Sequence, residues 1–253
     1  MYLKQKTRNK NNGVRRDEAM SAKNIRGVLR RRQDREKAKV LQRFFKTGPG
    51  EYAEGDIFLG VTVPELRKLA GEFKDIEAGQ AAALLRSSFH EERLLALLIL
   101  ILKYRAANLR DKEKIYRIYL KNTRYINNWD LVDVTAKHIV GDHLRDKDKK
   151  PLYKLARSGS IWERRIAILS TFHFIENHRF DDTIKIAGIL LYDKHDLIHK
   201  AVGWMLREVG KRDLKAEENF LKKNYKIMPR TMLRYAIERF PEHKRERYLK
   251  KAK

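Results

Sequence analysis

The sequence predicts an all-α protein built as a HEAT-like helical-repeat solenoid, and three observations carry that reading. Apolar residues recur at helical spacing along almost the whole chain from position 21. No segment alternates convincingly at the period of a strand. The helical stretches are short, separated by Gly, Pro, Asn or Asp, and in the later chain they fall into pairs of roughly 30–40 residues, the period at which helical hairpins stack on their neighbours. An irregular helical bundle is the competing reading of the same pattern.

Taken in order, residues 1–20 are polar and basic without apolar periodicity and read as a disordered extension; residues 21–253 read as one domain. Helices are expected over 21–31 and 34–46, followed by a glycine-rich ordered loop from Thr47 to Thr62. Helix 63–74 opens with the capping-box spacing Thr62-Val-Pro-Glu65. Helices 77–87 and 90–105 follow, the second opened by Ser88 and Glu91 at the same spacing and carrying the apolar run Leu94–Leu102, which is too short to span a bilayer. Helices 111–121, 128–141 and 150–157 come next, then 161–178 behind Ser160 and Glu163. The series closes with 181–191, 195–211, 214–224, 229–239 and 241–251, where Pro229 and Pro241 suit first-turn positions. Such an array offers a concave surface, and a basic one could cradle a duplex.

The charge supports that partner. Lys and Arg number 58 against 33 Asp and Glu, a net +25, which points to a polyanion. The excess sits at the ends: residues 1–50 hold 16 basic and 4 acidic side chains, residues 211–253 hold 15 and 6. A polybasic membrane-surface protein is disfavoured, because no aromatic amphipathic anchor or lipidation motif accompanies the charge. There is no cysteine, which removes disulfides, iron–sulfur clusters, Cys-ligated zinc and thiolate nucleophiles. His195 and His199 have metal-ligand spacing without an evident third ligand, so neither a metal nor another cofactor is expected. With no secretory segment, the setting is expected to be cytoplasmic, nucleoid-associated in a prokaryote, and the protein a monomer.

Helical wheels single out side chains that do not belong on their faces. In helix 128–141 the apolar side is Leu131, Val132, Thr135 and Ile139; Trp129 lies about 105° from its centre, with Asp133 beside it one turn on. In helix 195–211 Trp204 lies about 130° from the apolar side, among Lys200, Arg207 and Lys211. A ring framed by cations is what a nucleic-acid surface requires, although boundary packing between repeats also explains both tryptophans. Arg165 projects from the apolar face of helix 161–178, so it must meet a carboxylate such as Asp133 or face a polyanion. Its neighbour Arg164 turns away and is expected to matter less. Trp162 reads as core.

These residues fall in stretches that resemble the AlkD-like DNA alkylation repair family of HEAT-like-repeat glycosylases: FFKTGPGEYAEGDIFLGVTVPELRKLA (44–70), NNWDLVD (127–133), SGSIWERRIAILSTFHFI (158–175), HKAVGWMLREVGKRD (199–213) and MPRTMLRYAIERFP (228–241). The resemblance implies a catalytic site of Trp129, Asp133 and Trp204. It implies DNA contact by Arg165, with Tyr52 as the counterpart of a family aromatic, and it marks residues 1–19 as an extension. The implied reaction is hydrolysis of the N-glycosidic bond of cationic N3- or N7-alkylated purines in duplex DNA, with Lys200, Arg207 and Lys211 on the DNA-facing surface. A HEAT-like protein that binds DNA or recognises damage without cleaving is the alternative. A protein-binding scaffold is a third.

Overall fold

In the computed structural model, which describes residues 21–250, every regular element among the described residues is helical apart from one isolated bridge between Ile57 and Phe89. The expected all-α class holds. The expectation for residues 1–20 lies outside the described residues. The chain divides into two compact units, Met1–Leu131 and Val132–Lys253.

In the first unit, α1 (Ala22–Arg30) and α2 (Arg35–Phe44) start on side-chain caps from Ser21 and Asp34. The loop that follows turns through positive φ at Gly50, Gly55 and Gly60. At Gly60 a Cβ would lie 2.1 Å from the Asp34 carbonyl oxygen, so only glycine permits this approach to the start of α2. In α3 (Val63–Glu72) the Glu65 carboxylate accepts from both the backbone N–H and the hydroxyl of Thr62, at 3.0 and 2.6 Å, as the spacing predicted. α4 (Ala78–Leu85) and α3 both pack on α5 (His90–Ala106), and α1 packs on α4. α6 (Leu109–Lys121) and the short α7 (Trp129–Asp133) follow.

The start of α5 departs from expectation. Ser88 is not the cap; the helix opens at His90, and Glu91 reaches across to the backbone N–H groups of Leu59 and Gly60 at 2.9 and 2.8 Å. His90, Glu91, Glu92 and Arg93 are all buried. Burial of four polar residues in a row is tolerable only because each finds hydrogen-bond or charge partners.

In the second unit, the continuous helix expected over 128–141 is not formed. After α7 a turn at Val134–Thr135 leads into one turn of π-helix over Lys137–Gly141. A Cβ on Gly141 would lie 2.3 Å from the Ser170 carbonyl oxygen, which shows how tightly this segment is pressed on its neighbour. α8 (Lys150–Ala156) packs on α9 (Ile161–Ser170), and α10 (Phe172–Glu176) and α11 (Asp181–Ile189) continue the series, so the helix expected over 161–178 breaks at Thr171. α12 (Asp196–Gly210) packs on α9, on α13 (Leu214–Asn224) and on α14 (Arg230–Ala236), with α15 (Glu242–Leu249) last. Pro229 and Pro241 stand at the N-cap, one position before the first turn.

A repeated joint marks the hairpins. Ser87, Ser158 and Asp193 each accept, through the side chain, the N–H two residues on, at 3.0, 3.1 and 2.9 Å. Their carbonyl oxygens each accept from the fourth residue of the next helix: Arg93 at 3.1 Å, Arg164 at 2.9 Å and His199 at 2.5 Å. Carbonyls past the end of one helix, which lack intrahelical partners, are thus satisfied by a side chain of the following helix. Ser158 and Asp193 stand 35 positions apart and Ser87 precedes Ser158 by 71, about two such intervals. The repeat is a hydrogen-bond pattern rather than a sequence motif, because the donor is Arg twice and His once.

Candidate active site

In the first unit Trp129 opens α7 and its indole Nε1–H donates to the Tyr52 hydroxyl at 3.3 Å. One face of the ring stacks on Phe45, centroids 5.2 Å apart, and Phe44 meets it edge-on at 6.0 Å. Phe45 stacks in turn on Phe58 at 5.0 Å, and the His90 ring lies 4.5 Å from Phe58 and 5.1 Å from Phe45. Trp129 is therefore the outer member of an aromatic stack and is half-buried. Phe44 is 62% exposed. On α2, Leu41 and Phe45 share the inward face while Phe44 points out; the same wheel argument that found the tryptophans would have found this ring.

Behind the stack runs a buried chain of charges. Arg93 donates to Asp56 at 2.5 Å; His90 bridges Asp56 through Nδ1 at 3.3 Å and Asp130 through Nε2 at 2.8 Å; Asn128 also donates to Asp56 at 3.2 Å. Burial alone disfavours the His90 imidazolium. The charge and hydrogen bond of Asp130 and the hydrogen bond to Asp56 outweigh that and the opposing charge of Arg93, raising its pKa to about 9. Asp56 lies below the usual carboxylate range: burial pushes it up, but the His90 hydrogen bond and the Arg93 charge prevail. The sequence singles out none of Asp56, His90, Arg93, Asn128 and Asp130. Their partners lie 34 to 72 positions away, beyond the reach of any periodicity.

In the second unit Asp133 and Arg165 are brought together. The Arg165 Nε and Nη2 donate to the two Asp133 carboxylate oxygens at 2.7 and 2.8 Å, a bidentate fork, and Nη1 donates to the Leu197 carbonyl. The guanidinium is buried, while the Asp133 side chain keeps 18% of its surface open. In this state Arg165 is an ion-pair partner rather than an open cation. Arg164, expected to be marginal, is also engaged: it pairs with Asp193 at 2.6 Å and donates to the Ser158 and Gly159 carbonyls. Trp162 is buried, as expected.

Trp204 is half-buried and meets Phe172 edge-on at 5.8 Å. The cations around it are paired: Lys200 with Asp196 at 2.8 Å, Lys211 with Glu208 at 2.6 Å and Arg207 with Glu238. Each of these cations thus has an acid beside it, one helical turn away or on the 3₁₀ turn Ile237–Arg239, and the ring they frame is half-buried rather than fully exposed. His195 accepts from Leu197 N and His199 Nε2 donates to the Asp193 carbonyl, so both serve helix ends. Among the described residues no group of three or more His, Cys, Asp or Glu could hold a metal ion, and no helix is long and apolar enough to cross a membrane.

The fold and these side chains define a helical-repeat protein carrying tryptophans and an arginine-held carboxylate. Residues 25–240 match the family described as DNA alkylation repair enzyme, and the chain belongs to it. Among solved structures it resembles a protein titled as a predicted DNA alkylation repair enzyme from Enterococcus faecalis, with a TM-score of 0.65 at 17% identity, covering 83% of this chain and 97% of that one. It also resembles AlkD2 from Streptococcus mutans, with a TM-score of 0.51 at 18% identity over 82% of this chain and 99% of that one. The protein smu.31 from Streptococcus mutans UA159 gives a TM-score of 0.51 at 20% identity over 71% and 93%. At these identities the likeness is one of fold. No curated protein matches the chain significantly.

Proposed function

We propose that this protein is a DNA glycosylase that hydrolyses the N-glycosidic bond of purines made cationic by alkylation at N3 or N7 in duplex DNA. The observation that carries the reading is the Asp133 carboxylate, partly open to solvent and fixed in orientation by the buried Arg165 fork. In the reaction the C1′–N bond breaks, and the base leaves with the bonding pair, becoming neutral because it began as a cation. The sugar passes through an oxocarbenium-like state, and water adds to C1′ and loses a proton to give an abasic site. A leaving group that departs neutral needs no strong general acid. What the protein must supply is a preorganised negative charge near the sugar, and Asp133 supplies it. Indole faces, offered by Trp129 in the first unit and by Trp204 in the second, favour a positive charge of this kind.

The engagement of both Asp133 oxygens by Arg165 favours a second reading, in which the pair is structural and the protein binds DNA without cleaving it. Incubation of purified protein with methylated duplex DNA tests the choice. Release of 7-methylguanine and 3-methyladenine, leaving abasic sites, supports the glycosylase; tight binding with no base released supports the binder.

A further inference from the structure

We infer that His90 is a positioning residue for Trp129, holding the first turn of α7 and the back of the aromatic stack so that the indole face presented to DNA is fixed. Two sets of contacts converge. Along the backbone, the residues on either side of Trp129 are both tied to the His90 network: Asn128 through Asp56 at 3.2 Å, and Asp130 directly to Nε2 at 2.8 Å. Asn128 Oδ1 accepts the N–H of Trp129 itself at 2.8 Å, so the anchor reaches the indole's own backbone. Through the rings, His90 contacts Phe58 and Phe45, and Phe45 stacks on Trp129. Removing the proton from His90 would leave Asp130 without its cation on the helix turn that carries the ring.

The charged groups facing His90 are Asp56 from the loop before α3, Asp130 from α7, and Arg93 on its own helix; the neighbouring Glu91 is turned away to Leu59 and Gly60. From α2, Lys37 stands with His90 and Asp130 on the wall of an apolar cavity of about 420 Å³. The cavity adjoins the imidazole, which is itself only 2% exposed.

The inference rests on the glycosylase reading only where rate is concerned, and the experiment keeps the two apart. The full chain is labelled with 5-fluorotryptophan, and the Trp129 signal is assigned by Trp129→Phe. In wild type this ¹⁹F resonance should move with pH through a midpoint near 9, while the Trp162 and Trp204 resonances hold still. In His90→Gln it should be displaced or broadened already at pH 7, with no transition near 9. Excision, if wild type shows it, should fall about tenfold or more in His90→Gln and in wild type should decline through the same pH range. A Trp129 resonance indifferent to pH between 7 and 10 overturns the inference, and this does not depend on His90→Gln, so misfolding of that variant would not rescue it. Absence of base release by wild type overturns the glycosylase reading and leaves the resonance to decide the role of His90.

Discussion

Replacing Asp133 by Asn tests chemistry and stability together, and the structure sets both magnitudes. Asn keeps the shape and one acceptor oxygen, but the Arg165 guanidinium is buried and loses an ionic partner that it meets at 2.7 and 2.8 Å. Stripping one partner from a buried ion pair costs about 3–5 kcal/mol. The retained acceptor, the partial exposure of Asp133 and the remaining bond from Arg165 to Leu197 place the expected loss near the lower end, about 3 kcal/mol. For a chain of this size that is a melting temperature lower by about 6–12 °C. Normal stability, which the sequence alone would suggest for so conservative a change, is therefore not expected. In the chemical step, loss of one preorganised charge should slow single-turnover excision by about 10²–10³. The assay combines thermal unfolding of Asp133→Asn, Arg165→Met and the double variant with single-turnover release of 7-methylguanine, run well below the lowest melting temperature. The double variant should be more stable than the sum of the single losses by about 2 kcal/mol, because it no longer buries an unpaired charge. A wild-type melting temperature for Asp133→Asn would refute the energetic argument. A folded Asp133→Asn excising at the wild-type rate would refute the catalytic one.

The remaining expectations bear on other sites. Arg164→Ala should lower the melting temperature, since Arg164 holds Asp193 and two carbonyls of a hairpin joint; an unchanged melting curve would show that the joint is dispensable. Glu217 on α13 is buried, which raises its pKa to about 8 against weaker opposing effects of Lys244 and Arg207. A raised folded-state pKa contributes stability that is complete below about 4.5 and is lost as pH rises through about 8. Glu217→Gln should flatten that decline, and equal pH dependence in variant and wild type would contradict the assignment. Gly203→Ala should destabilise by about 1–3 kcal/mol, read by denaturant unfolding, because its Cβ would sit 2.4 Å from the Met232 carbonyl oxygen and 2.5 Å from Tyr235 Cβ. Affinity for undamaged duplex DNA should fall steeply with salt, by about 0.9 logarithmic units per phosphate contact for each tenfold rise; a flat response would argue for a protein partner instead.

Local physics was written in the sequence, and that is why the helices, the Thr62–Glu65 cap and the glycine-rich loop could be read from it. Helical spacing also flagged Trp129, Asp133, Arg165 and Trp204, since a side chain on the wrong face is a local anomaly. What periodicity cannot show is which distant group compensates it. Arg165 was ambiguous between a phosphate and a carboxylate until tertiary structure placed it on Asp133, 32 positions away. Near Trp204 two of the cations pair within their own helix, Lys200 with Asp196 and Lys211 with Glu208, whereas the partner of Arg207, Glu238, lies 31 positions away. The break after α7 leaves no mark in the apolar spacing of 128–141, and the close approach of Gly141 to the Ser170 carbonyl is a tertiary contact that the spacing does not encode. In the sequence, His90 lies inside the Ser88–Glu91 capping-box spacing and carries no signal of its own. Only packing decides that it is buried, and burial forces each of its charges to find a partner that sequence spacing does not encode.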